Sequence, residues 1–72
     1  MTLADRYRIM KEHGLTTQYL ARVFCRHPRS IRRVVAETIN RPEWVEECRR
    51  FIASKIEGMS YEEFWVEIEC ED

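Results

Sequence analysis

Glycine and proline are scarce in this chain of 72 residues, which has two of each. No linker rich in glycine, serine or proline divides the chain and no segment repeats, so we expect residues 1–72 to form one domain. A chain this short buries only about 60% of its unfolded surface, which leaves room for a single small core. Runs of 18 apolar residues are absent, which argues against a membrane span. The N-terminus lacks the apolar core of a signal peptide, and the expected location is the cytoplasm.

Cysteine is present, but not in a pattern typical of disulfides or metal sites. Cys25, Cys48 and Cys70 are odd in number and widely spaced, which does not suggest a disulfide framework. His13 and His27 do not form a pair at metal-site spacing. A zinc site built from Cys25, His27 and a distant cysteine ranks below small, buried or half-buried thiols. We therefore expect no metal and no cofactor.

The usual motifs of catalysis are missing as well. The sequence contains no glycine-rich phosphate loop, no nucleophile elbow and no pair of histidines for a catalytic metal. Cys25 and His27 lie close together, but no third group supports them as a nucleophile and its base. We expect a protein that is not an enzyme.

The net charge of −1 hides a strong asymmetry along the chain. Residues 1–41 contain nine Lys or Arg and three acidic residues, a balance of +6. Residues 42–72 contain three Lys or Arg and ten acidic residues, a balance of −7. One half of the domain can therefore face phosphate while the other half stays away from it.

Two short amphipathic helices on either side of a tight turn are predicted in the middle of the chain. The first covers about residues 16–25, with Leu20, Ala21 and Phe24 on one apolar face. Pro28 cannot continue that helix, but it is well placed at the first position of the next one. The turn therefore lies just before Pro28.

The second of these helices, about residues 28–39, has two faces of opposite character. Its apolar face consists of Ile31, Val34 and Val35. Its other face has spacings i, i+3, i+4 and i+7 and consists of Arg29, Arg32, Arg33 and Ala36. Like charges on one helix face repel by roughly 0.2–0.5 kcal/mol per pair, so this face is typical of a helix that meets a polyanion. Such a helix can enter the major groove of DNA.

The spacing of these residues resembles the helix-turn-helix of the lambda-repressor-like class of small bacterial and phage regulators. The matching residues are an alanine, an apolar residue three positions on and two anchors in the recognition helix: Ala21, Phe24, Ile31 and Val34. Small Ner-like phage regulators are the most similar, since their last helix ends in a Glu-Glu-Leu-Trp-like stretch that residues 61–65 resemble. The likeness covers residues 15–66. Cys25 stands where the family most often has glycine, and Arg26 where it usually has an apolar residue.

This resemblance implies a sequence-specific transcriptional regulator, derived from a phage or prophage, whose arginine-rich helix enters the major groove of double-stranded DNA. Family positions at the start of the first motif helix touch phosphate, and positions in and before the recognition helix face bases or phosphates. The candidate DNA-binding residues that match them are Thr17, Gln18, His27, Arg29, Arg32 and Arg33. Ordinary helix capping is the alternative role for Thr17, Gln18 and His27. The alternative for the arginines is an exposed basic face that binds nothing specific or binds an acidic protein.

A further helix is predicted before the motif. It covers residues 2–13 and ends at Gly14, which suits a left-handed C-terminal cap. Its apolar face consists of Leu3, Tyr7 and Met10. Three basic residues on it either contact the DNA backbone or face solvent, and we weigh the two equally: Arg6, Arg8 and Lys11.

Two more helices follow the motif, which makes the predicted fold an all-α bundle of about five short helices. The fourth begins at Pro42 and ends at Gly58. Its inward stripe consists of Val45, Cys48, Ile52 and Ile56, while Arg49 and Arg50 are expected in solvent.

The last helix opens with a capping box between Ser60 and Glu63. Its aromatic stripe consists of Tyr61, Phe64, Trp65 and Ile68. We favour a lid on the core for this stripe, and the alternative is the interface of a homodimer. The acidic tail, residues 67–72, is expected to fray.

A second class of function stays open beside DNA binding. The same domain could be a protein-interaction module, with its basic face on an acidic partner or its acidic half as a mimic of DNA.

Overall fold

The computed structural model describes residues 1–38 and 42–66, and the regular structure of these residues is helical throughout. The helices are α1 (Leu3–Glu12), α2 (Thr17–Val23), α3 (Pro28–Val35), α4 (Glu43–Lys55) and α5 (Tyr61–Phe64). The predicted all-α bundle of five short helices is confirmed. Ile68 and the acidic tail, for which predictions were made, lie outside the described residues. Within the described residues, no helix has the length and apolar character needed to cross a membrane.

Side-chain caps begin three of the helices, where a threonine or serine just before the helix predicts a cap. Thr2 with Asp5 and Ser60 with Glu63 form the capping boxes that start α1 and α5. Thr16 caps α2 by accepting a backbone N–H through its hydroxyl. These bonds satisfy donors that the first turn of a helix otherwise leaves without a partner.

Left-handed residues end α1, α2 and α3. The three are Gly14, Cys25 and Glu37, with φ angles of 73°, 52° and 57°. After each of them the next N–H reaches back five residues, as in Schellman motifs, for example from Arg26 to the carbonyl of Ala21 at 2.9 Å. The helices α2 and α3 end at Val23 and Val35, earlier than the predicted ends near residues 25 and 39. The prediction missed these ends because the residues with positive φ are Cys25 and Glu37 rather than glycine.

The end of α4 also differs from the prediction. The helix stops at Lys55, and Ile56 has an extended backbone with ψ of 104°. Gly58, which was predicted to end the helix, instead has a positive φ of 84° in the turn that leads to α5.

The predicted apolar faces of the motif helices meet in one core. Leu20 and Ile31 are 0% exposed. The inward stripe predicted for α4 is also buried, namely Val45, Cys48, Ile52 and Ile56. Phe64 and Trp65 cover this core from α5, with 0% and 7% of their surface exposed. The aromatic residues thus form the lid that the sequence favours.

Two arginines that were expected at the surface lie in the interior. Arg6 is 0% exposed and Arg49 is 3% exposed, so the predictions of DNA or solvent contact for Arg6 and of solvent for Arg49 are wrong. Both guanidinium groups pair with Glu37, at 3.2 Å from Arg6 and 2.8 Å from Arg49. Arg6 also donates to the carbonyl oxygens of Val35 and Val66. These contacts join the end of α3 to α1, α4 and the residues after α5.

Trp65 provides the aromatic wall of this interior cluster. The guanidinium carbons of Arg6 and Arg49 lie 5.0 Å and 4.6 Å from the centroid of its ring. The indole N–H donates to the carbonyl oxygen of Arg49 at 3.1 Å. Both Nε atoms lack a hydrogen-bond partner among the described residues. Contact with the ring face therefore offsets part of the cost of burying these cations.

Candidate nucleic-acid interface

His27 fixes how the turn passes into α3. Its backbone is extended and its ring accepts the N–H of Arg29 through Nδ1 at 3.1 Å. Pro28 occupies the first turn of the helix, as predicted. Because Nδ1 accepts a hydrogen bond, the neutral ring carries its proton on Nε2. The capping role predicted as the alternative for His27 is present, and the exposed ring keeps a second nitrogen that the cap does not use.

An open groove of about 420 Å³ lies where α2 passes the start of α3. We call it the α2–α3 groove, and its walls are Gln18, Ala21, Arg22, Arg26 and Pro28. Of the predicted site residues, Gln18 lies in this groove. Thr17 precedes it on α2, is half-buried and is not one of the wall residues.

The three arginines predicted on α3 remain at its surface, since Arg29, Arg32 and Arg33 are all exposed. Burial raises the pKa of Tyr7, and the positive charge of Arg32 opposes that shift. The three exposed arginines form the basic surface of α3.

The arginines of this region differ from those elsewhere in how they are paired. Away from α2, the turn and α3, each described arginine has a carboxylate partner. Those arginines are Arg6, Arg8, Arg49 and Arg50, with N–O distances of 2.8–3.4 Å. Among residues 1–38 and 42–66, no ion pair involves the exposed arginines of the motif, which are Arg22, Arg26, Arg29, Arg32 and Arg33. The motif therefore presents free guanidinium groups.

Two of these arginines, Arg22 and Arg26, were not predicted as site residues. Arg22 lies four positions after Gln18 on α2, and that spacing places both on one face. No comparable spacing in the sequence indicates a role for Arg26. Its guanidinium lies 4.3 Å from the ring centroid of Trp44, a residue of another helix.

Among residues 1–38 and 42–66, the cysteines and histidines do not come together as metal ligands. The described part of the chain holds no group of three His, Cys, Asp or Glu side chains that could bind a metal ion. Cys25 is exposed and Cys48 is buried. Burial raises the pKa of the Cys48 thiol from 9.0 to about 11, which disfavours the thiolate that a metal would need. Cys70, the third candidate in the zinc alternative, lies outside the described residues.

Comparison of the sequence with protein-family models finds no match, and neither does a search of curated proteins or of solved structures. The likeness to lambda-repressor-like regulators therefore rests on the residues quoted from the sequence.

Proposed function

We propose that this protein is a sequence-specific DNA-binding regulator of transcription in the cytoplasm, with α3 as its recognition helix. The observation that supports the proposal most is the set of free, exposed arginines on α2, the turn and α3. Duplex DNA carries one negative charge per roughly 1.7 Å of its axis, so it would relieve the repulsion among these side chains. No carboxylate has to be displaced before they bind.

Two kinds of contact are proposed for this surface. Residues at the start of a recognition helix point at base edges when the helix lies in the major groove. Arg29 is in that position, and the Nε2–H of His27 is a donor beside it. Arginine binds guanine through O6 and N7, worth about 1–3 kcal/mol of discrimination. Arg32 and Arg33 either read further bases or bind phosphate.

A second copy on a neighbouring half-site belongs to the same proposal. Half-sites of such regulators lie about one helical turn apart, and the operator is then a palindrome. Phe64 and Trp65 pack into their own core. A homodimer contact through the C-terminal aromatic helix would therefore rest on Tyr61 and on Val66, which is 40% exposed.

Selection from a pool of random duplexes, read by sequencing at two salt concentrations, tests the proposal. We expect enrichment of a palindromic motif, and its loss in the double variant Arg32→Ala, Arg33→Ala. The matched control is Arg50→Ala with Lys55→Ala, which removes the same charge from exposed positions of α4. It should select the same motif as the parent, because neither residue belongs to the candidate interface.

Two other outcomes would contradict a sequence-specific regulator. Retention that disappears with salt and selects no motif would mean electrostatic attraction to phosphate alone. No retention at either salt would favour the protein-interaction module. The exposed carboxylates of α4, of α5 and of the turn between them would then be the surface to test by pull-down, namely Glu43, Glu47, Glu57, Glu62 and Glu63.

A further inference from the structure

Arg26 is held at both of its ends in the free protein. Its backbone N–H donates to the carbonyl of Ala21 at 2.9 Å, which fixes the residue at the end of the turn. Its guanidinium carbon lies 4.3 Å from the ring centroid of the half-buried Trp44, the second residue of α4. An exposed arginine normally keeps many rotamers, and binding must suppress them. Arg26 has already given up part of that freedom.

Stacking on Trp44 leaves the binding capacity of Arg26 intact. A guanidinium on a ring face uses its π surface, while its N–H donors point outward in the plane. Among the described residues, no carboxylate pairs with Arg26. The same side chain is a wall of the α2–α3 groove, beside Arg22 and Gln18. The arrangement therefore offers a fixed, planar donor to an anion in the groove.

We infer that Trp44 is a positioning residue that holds Arg26 ready to bind a backbone phosphate of duplex DNA in the α2–α3 groove. This inference rests on the proposed function, and it assigns one anchoring contact to a pair of residues on two different elements. The contact is independent of base sequence, because phosphate is the same at every step of the duplex. Trp44 would act only through Arg26.

The test is a double-mutant cycle on binding to the selected duplex, measured over a series of salt concentrations. Arg26→Ala should lower the affinity about tenfold at low salt. It should also reduce the slope of log K against log salt by about one, with the same sequence preference. Trp44→Leu should weaken binding several-fold in the parent. In the Arg26→Ala background it should change nothing, since its effect passes through Arg26.

Conservative variants separate positioning from a general loss of structure. Trp44→Phe keeps an aromatic face and should recover most of the affinity. Arg26→Lys keeps the charge but not the planar stack, so it should keep the salt slope and still bind less tightly. Arg50→Ala removes an exposed arginine outside the groove and should leave slope and affinity unchanged. Thermal unfolding of each variant by circular dichroism identifies any that fail to fold.

The possible failures are distinguishable. If the parent selects a motif but Arg26→Ala keeps its affinity and salt slope, this inference is wrong and the proposed function stands. Equal losses from Trp44→Leu with and without Arg26 would make Trp44 a structural residue only. If the parent binds no duplex, the proposed function fails and this inference fails with it.

Discussion

Cys25 occupies a backbone conformation that glycine adopts most easily. Its φ of 52° is left-handed, which costs an L-residue with a side chain about 1–2 kcal/mol. The lambda-repressor-like regulators that the sequence resembles most often have glycine at this position. The turn therefore has the backbone geometry that glycine favours, even though the residue is cysteine. Cys25 differs from the usual glycine of those regulators in its side chain, but its backbone takes a conformation suited to glycine.

Substitutions at Cys25 should follow this backbone conformation. Cys25→Gly should raise the free energy of unfolding by up to about 1 kcal/mol, because relief of strain exceeds the extra freedom that glycine gives the unfolded chain. Cys25→Val should lower it by about 1 kcal/mol, since a β-branched residue fits the left-handed region badly. Urea unfolding followed by circular dichroism measures both. Cys25→Ala is the control and should match the parent. Equal stability of the glycine and valine variants would show that the position is not left-handed.

At the scale of elements, Glu37 both ends α3 and supplies the carboxylate that two buried arginines share. It is the left-handed residue after the helix, and its carboxylate pairs with Arg6 and Arg49. Removing one partner of a buried ion pair is far more costly than the pair is stabilising, because the remaining charge stays desolvated. The carboxylate therefore links α3 to α1 and α4.

Loss of that carboxylate should destabilise the whole domain. Glu37→Gln should lower the free energy of unfolding by roughly 3 kcal/mol, against less than about 0.5 kcal/mol for the exposed control Glu47→Gln. Glu37→Gly is the sharper variant, because it relieves the backbone and removes the charge. It should still be much less stable than the parent in urea unfolding. A glycine variant as stable as the parent would mean that the cluster contributes nothing to stability.

Local rules account for the elements that the sequence predicts correctly. Apolar spacing gave the inward faces of α2, α3 and α4, and capping residues gave the starts of α1, α2 and α5. The ends of α2 and α3 could not be predicted, because the usual signal for a left-handed cap is glycine and these caps are Cys25 and Glu37. Gly14, which carries that signal, was predicted.

Long-range contacts decide which arginines are buried and which join the candidate site, and residue spacing along the sequence could not predict this. Arg6 is interior, where it pairs with Glu37, a residue 31 positions away along the chain. Nothing within one helix turn of Arg6 indicates this pairing. Arg26 joins the candidate site because it lies beside Gln18 and against Trp44. The arginines of α3 were predictable, since their exposure follows from the apolar face opposite them.

At the scale of the whole molecule, the distribution of charge depends on which arginines are free. Arg6 and Arg49 are buried and paired with Glu37, and Arg8 and Arg50 pair with acidic residues on their own helices. The free positive charge of the described arginines is thereby confined to α2, the turn and α3. An overall charge of −1 then gives no measure of the local charge on the motif.

Cys48 offers a measure of how often the whole domain opens. It is 0% exposed, and burial raises its pKa to about 11, so its thiol is both enclosed and protonated at pH 8. Cys25, in contrast, is exposed. In a Cys70→Ser background, a thiol reagent at pH 8 should modify Cys25 at once and Cys48 only through unfolding.

Ile31→Ala should accelerate that slow reaction. Ile31 is 0% exposed in the core that contains Cys48, so truncation should cost about 2–5 kcal/mol and raise the open population roughly 30-fold or more. The labelling rate of Cys48, followed by mass spectrometry, should rise by the same factor while Cys25 is unaffected. Val23→Ala is the control on α2, since Val23 is 41% exposed and its truncation should change the rate only about twofold. If Ile31→Ala left the labelling of Cys48 unchanged, α3 would not be packed on the core by its Ile31 face, and the arginines opposite that face would lose their assigned exposure.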